Sequence, residues 1–239
     1  MTRSEPIFNV PAVVLAFIAL FALIRAGEEL LLSSECDIEE FLAYFAFIPA
    51  RYDAASDTFP GGVGAQVWTF ATYAFIHGDL VHLGVNSAWF LPFGSALARR
   101  FGTLSFIGFF IVTSAAGALM YLFTNAGDMS AMIGSSAAVS GCMGGAIRFA
   151  FQPGGPFVMF RSGDEAAYRV PAASLVAALR DPRILVFLVV WFGLNLLFGL
   201  GVVSVPGVEQ SIAWQAHIGG FVAGLVLFSL FDPVGSQST

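Results

Sequence analysis

Charge is scarce in this chain, and one form of it is missing: every basic residue is arginine and none is lysine. Charged residues make up 11% of the 239, whereas 57% are hydrophobic; soluble domains carry roughly 25% charged residues. That balance excludes an ordinary water-soluble domain and predicts an all-α, polytopic membrane protein. A net charge of −6 without any basic face argues against nucleic acid as a partner. The two cysteines sit in unlike settings, Cys36 in an acidic stretch and Cys142 in an apolar one, with no CxxC spacing. They form neither a disulfide framework nor a metal site. Histidine occurs three times with no HExxH, and His77 and His82 do not share a helix face, so no zinc and no other cofactor is expected. No internal repeat is visible, which counts against the duplicated halves of a small transporter.

What is present is a series of apolar runs. A spanning helix needs about 20 mainly apolar residues. Six segments come close: about 7–24, 80–97, 104–123, 136–151, 184–203 and 214–231. The first is read as a retained span, because no small-x-small cleavage site follows "IRAGEELL". The fourth is short and rich in small residues, so it belongs in the middle of the bundle. The whole chain, 1–239, reads as a single membrane domain. An outer loop, 26–67, contains the helical-looking "IEEFLAYFAFI"; it is either a helix lying on the membrane surface or a folded loop with its own core. A loop at 152–183 joins the fourth and fifth segments.

Arginine placement orients the bundle. With six spans both termini lie on one side, which collects Arg3, Arg99, Arg100, Arg148, Arg161, Arg169, Arg180 and Arg183. The other side receives Arg25 and Arg51 together with Glu28, Glu29, Glu35, Asp37, Glu39 and Glu40. The excess of positive charge places both termini in the cytoplasm.

Polar residues inside spanning segments are costly and usually functional. Three groups stand out: His77, His82 and Asn86 in "HGDLVHLGVN", Ser136 in "GSSAAVSGCMGG", and His217 in "WQAHIGG". The second, fourth and sixth spans run in one direction, so these groups fall at similar depths in the outer half. His82 and Asn86 are four apart and share a face. His77 is five residues from His82, roughly 140° around a helix, and is expected to point elsewhere. It either lines the outer mouth or caps the helix start. Asp79 reads as the N-cap of the second span.

Ser136, Ser140 and Gly144 form one stripe, and His217, Gly220 and Gly224 another. Small stripes let membrane helices approach closely enough for a hydroxyl to reach an imidazole. A serine beside an imidazole is a potential nucleophile, because the ring takes its proton during attack. Amides at the start of the fourth helix could hold an oxyanion. No carboxylate lies in the fourth or sixth span, so the pattern suggests a Ser–His dyad. Taken singly, Ser136 is more often a packing residue, and His82 with Asn86 could be an interhelical clamp.

Together, "HGDLVHLGVN", "GSSAAVSGCMGG" and "AHIGG", in that order, with "FAFIPARY" before and "ALARRFG" after the second span, resemble the rhomboid family of intramembrane serine proteases. The resemblance implies a six-helix bundle with Ser136 as nucleophile and His217 as general base. It implies His82 and Asn86 as oxyanion stabilisers, and single-pass transmembrane proteins as substrates within the lipid bilayer. It also implies a movable fifth span beside the second; the loop Ser204–Ile212 reads as a lid on the outer mouth, and a short chain without extra domains suits a bacterial inner membrane. Ala137 stands where the family usually has glycine. Ser140 stands where some members carry a tyrosine stacked on the catalytic histidine, so His217 would be oriented otherwise, for instance by another aromatic side chain. The Trp-Arg pair that some members carry in the first loop is not evident. The alternatives are a catalytically inactive rhomboid-like binder of membrane clients and, from another class, a small transporter.

Overall fold

The computed structural model describes residues 10–53, 58–159, 165–202 and 213–234. The expected lid, Ser204–Ile212, lies outside the described residues, as do Arg3 and Arg161. Ten α-helices follow one another among the described residues: α1 (Ala12–Leu31), α2 (Glu35–Phe45), α3 (Gly62–Thr72), α4 (Leu80–Phe101), α5 (Thr103–Thr124), α6 (Ser136–Ala146), α7 (Pro156–Met159), α8 (Leu175–Ala178), α9 (Pro182–Gly199) and α10 (Trp214–Phe231). By length and composition α5, α9 and α10 are able to cross a membrane. Arg25, Glu28 and Glu29 add charge to α1, His82 and Asn86 dilute the apolar run of α4, and α6 has only 11 residues. Eleven residues rise about 16 Å, roughly half a hydrocarbon core.

Several boundaries differ from the sequence expectation for local reasons. Predicted to end near residue 24, α1 continues to Leu31. Arg25 pairs with Glu29 at 3.0 Å and with Glu28 at 3.6 Å, and such i,i+3 and i,i+4 pairs support the extra turns. The fourth segment, expected to be helical through Phe151, leaves the α-helix at Ala146. There the bonding tightens: the amides of Arg148 and Phe149 donate to Gly145 and Ala146, three residues back. Only Gly102 separates α4 from α5. Its φ of +79° lets the chain reverse there without the cost a side chain would bring.

The outer loop divides between the two readings its sequence allowed. No residue of α2 is buried, so it lies on the surface, opened by a capping box between Ser34 and Asp37. The Ser34 side chain, then its amide, hold the Asp37 carboxyl below the usual carboxylate range. Beyond α2 the loop has a core of its own. Phe47 packs on Tyr52 and Phe70, with centroids at 5.2 and 4.9 Å. Arg51 is buried and donates to the carbonyls of Pro60, at 2.8 Å, and Ala43.

Phenylalanine joins α1, α4 and α5. Phe17 and Phe21 on α1 meet Phe75, Phe90 and Phe110, the tightest pair being Phe17–Phe110 at 4.5 Å. The centre belongs to α6, where every residue from Ala137 to Ala146 is buried. Backbone contact fixes its distance to α10. A Cβ on Gly220 would overlap the Ala137 carbonyl oxygen, one on Gly224 the Gly141 carbonyl oxygen, and one on Gly144 the Phe221 carbonyl oxygen. Gly219 lies as close to α5, where a Cβ would come within 2.7 Å of the Ala116 carbonyl oxygen.

Arginines close the opposite end. Arg100, with no exposed surface, grips Asp232 through Nε–Oδ1 at 2.8 Å and Nη2–Oδ2 at 2.9 Å. Its Nη1 donates to the carbonyls of Tyr168 and Val170, and the guanidinium lies 4.4 Å from the Phe149 ring centroid. Arg148 donates to the carbonyls of Ala173 and Leu225. These two residues therefore have a structural role: they tie α4, α6 and α10 together at their C-terminal ends, so the three helices run parallel.

Gly220→Val should lower thermal stability in detergent by about 1–3 kcal/mol through overpacking, while Gly84→Ala, facing open space on α4, should be neutral or slightly stabilising. Equal melting of both variants would contradict backbone-limited packing. Asp232→Ala should cost about 3–5 kcal/mol, because it leaves a buried guanidinium without its counter-charge; a wild-type melting curve would refute that assignment.

Candidate active site

Ser136 opens α6 because the chain before it is held from several sides. Phe47 and Met132 exchange backbone hydrogen bonds at 3.1 and 2.8 Å, and the Ala50 amide donates to the Asp128 carbonyl at 3.0 Å. The Gly134 amide donates to the Tyr73 carbonyl at 3.0 Å. Gly134 has φ +107°, and a Cβ there would meet Nε2 of His82 at 2.5 Å. Both its conformation and the neighbouring ring thus require glycine at this position.

Ser135 occupies the N-cap position without capping. Its hydroxyl lies 3.3 Å from Nε2 of His77 instead. Among the described residues no side chain caps the first amides of α6, which stand at the positive end of the helix dipole where an anionic oxygen could bind. Ser136 is the single residue of α6 that is not fully buried.

Across from it, His217 projects from the first turn of α10. Its Nε2 lies 2.7 Å from Ser136 Oγ, inside hydrogen-bond range. The approach depends on the glycine contacts one and two turns further along α10, at Gly220 and Gly224. A hydroxyl in this position can pass its proton to the ring as its oxygen attacks a carbonyl carbon.

His82 and Asn86 lie on one face of α4, as their spacing predicts. Asp79 caps this helix, accepting from the His82 amide at 2.7 Å. The His82 ring reaches the Gly134 turn, immediately before Ser136. Asn86 is buried and donates one amide hydrogen to its own helix, at the His82 carbonyl, 3.0 Å away.

Two expectations need correcting. His77 does not point away from His82: the two ring centroids lie 5.2 Å apart in an edge-on arrangement. The angular argument fails because α4 begins at Leu80, leaving His77 in the preceding turn where helical geometry does not apply. Nor is His77 at an open mouth or a cap; it is buried, with Phe21 at 5.1 Å. The second correction concerns what orients His217. Among the described residues no aromatic ring stacks on it; its Nδ1 meets Asn195 Oδ1 from α9. Sequence reasoning missed Asn195. The available signal was one amide side chain inside the otherwise apolar "ILVFLVVWFGLNLLFG".

A rhomboid domain model matches residues 64–232. Over 84 residues the chain is 25% identical to the rhomboid protease GlpG of Haemophilus influenzae, a stretch covering 35% of this chain and 39% of that protein. The aligned part thus spans well under two thirds of this relative. With the domain match extending over more than half of its length and taking in the helices that carry Ser136, His217, His82 and Asn86, the chain belongs to the rhomboid family, a polytopic membrane fold that includes serine proteases.

Proposed function

We propose that this protein is an intramembrane serine endopeptidase that cuts the spanning segments of single-pass membrane proteins. The observation that carries the reading is the 2.7 Å contact between Ser136 Oγ and His217 Nε2, made by residues on separate helices. In this reading 1–239 is one membrane domain, and α1, α4, α5, α6, α9 and α10 are six spans. Both termini lie in the cytoplasm of a bacterial inner membrane. The clustering of Arg100, Arg148 and Asp232 at the end away from Ser136 supports the orientation.

Ser136 Oγ attacks the scissile carbonyl carbon while its proton passes to His217 Nε2. The carbonyl oxygen becomes an oxyanion that accepts from the Ser136 amide, the His82 ring and the second amide hydrogen of Asn86. Collapse of the intermediate breaks the C–N bond, and His217 returns the proton to the leaving amine. Water then hydrolyses the acyl-enzyme by the same route. Ala137, in place of the usual glycine, leaves these amides in position.

Substrate must arrive sideways and unwind locally, since a helical peptide bond is shielded by its own hydrogen bonding. The natural entrance lies beside α9. Apart from Ile184 and Trp191 its residues are not buried, and Phe187 touches α4 through Phe93 at a centroid distance of 5.9 Å.

Purified protein in detergent should react with a fluorophosphonate, and Ser136→Ala or His217→Ala should abolish labelling. Retained labelling in Ser136→Ala would move the nucleophile elsewhere, and no labelling of the wild type would favour a non-catalytic binder of membrane clients. A reversible crosslink between cysteines introduced on facing positions of α4 and α9 should slow cleavage, with recovery on reduction. Undiminished turnover in the crosslinked protein would exclude entry between these helices.

A further inference from the structure

Asn195 lies on α9 among exposed apolar residues, Leu194, Leu196 and Leu197, yet turns its amide inward to α10. Its Nδ2 donates to the Trp191 carbonyl at 2.8 Å. A carbonyl only accepts, so this bond fixes which end of the amide faces His217: the oxygen, Oδ1. An amide oxygen also only accepts, so His217 Nδ1 must carry a hydrogen and donate it. A neutral imidazole with its proton on Nδ1 presents a lone pair on Nε2, the atom that faces Ser136 Oγ at 2.7 Å. The reversed amide would set two oxygens against each other at Trp191. It would also place a donor opposite Nδ1, move the ring proton to Nε2 and leave Ser136 without a base.

We infer that Asn195 is a positioning residue that holds His217 in the Nδ1–H form, turning the dyad into a Ser136–His217–Asn195 relay anchored on the Trp191 carbonyl. The inference rests on the protease reading above. Proton traffic is unchanged by it: the Ser136 O–H bond breaks, the His217 Nε2–H bond forms, and Nδ1 keeps its hydrogen throughout. A neutral amide fixes the tautomer without adding a full negative charge beside the imidazolium. The need for such a device follows from Ser140, which offers no ring to stack against His217.

The test combines spectroscopy with kinetics on the full chain in detergent. With 15N-labelled histidine, the wild-type His217 signal, assigned by its loss in His217→Ala, should report hydrogen on Nδ1. Asn195→Leu preserves an apolar face on α9 and should shift His217 toward the Nε2–H form. It should lower kcat about ten- to a hundredfold, the cost of losing one buried hydrogen bond, with KM unchanged. Asn195→Asp keeps the acceptor toward Nδ1 but gives up the donor to the Trp191 carbonyl, so it should recover part of the rate lost in Asn195→Leu. Its carboxylate favours the imidazolium, which should move the acid limb of the pH–rate profile to higher pH. A wild-type Nε2–H tautomer overturns the inference, as does Asn195→Leu with wild-type kcat and pH profile. If Asn195→Leu does not fold, the wild-type tautomer and the Asn195→Asp profile decide. A wild-type protein that neither cleaves nor takes the fluorophosphonate would instead sink the protease reading, while the tautomer measurement would still stand or fall by itself.

Discussion

Backbone contact between α6 and α10 is the constraint on which the rest depends. Where Gly220 and Gly224 face the carbonyls of Ala137 and Gly141, no side chain intervenes, and the helices are as close as the main chain permits. A serine side chain is short, and an imidazole adds only a few ångströms. Hence the 2.7 Å contact between Ser136 and His217 is available only at this separation. In lipid, where water does not drive helices together, such contact is also what holds a bundle. One feature therefore supplies both cohesion and the candidate chemistry.

Each end of α6 is secured by other means. At the N-terminal end, the Phe47–Met132 backbone pair and the Gly134–Tyr73 bond anchor the turn that presents Ser136. At the other end, Arg148 and the Arg100–Asp232 pair knit the helix termini through carbonyl and carboxylate acceptors. Buried guanidinium groups are tolerable there because several donors of each find acceptors and aromatic faces cover their planes. The arrangement separates roles along the bundle axis, with an end tied by buried, paired guanidinium groups opposite the one that carries Ser136 and the ring nitrogens of His77, His82 and His217. Against this fixed α4–α6–α10 frame, α9 is held mainly by ring contacts such as Trp191–Phe221 at 4.6 Å, and by Asn195.

The readable part of the site was the set of polar residues that apolar surroundings make conspicuous. Ser136, His82, Asn86 and His217 could be picked out, and helical periodicity put His82 with Asn86 and aligned the small residues. The same arithmetic misled for His77, because periodicity holds only inside a helix and the capping Asp79 starts α4 after it. Asn195 escaped because a single amide has no periodic partner; its meaning lies in a neighbour 22 positions away. Charges misled in α1, where ion pairs within the helix carry it past the end of the apolar run.

Alone, the sequence determined the membrane character, the all-helical architecture and the candidate residues of the site, since these follow from composition and from one-dimensional spacing. Only the tertiary structure decided which ring nitrogen faces Ser136, what grips the other nitrogen, and that Arg100 and Arg148 are interior ties. Hydrogen bonds are short-ranged and directional, and their partners here lie on different helices. No pattern along the chain encodes the angle at which two side chains meet.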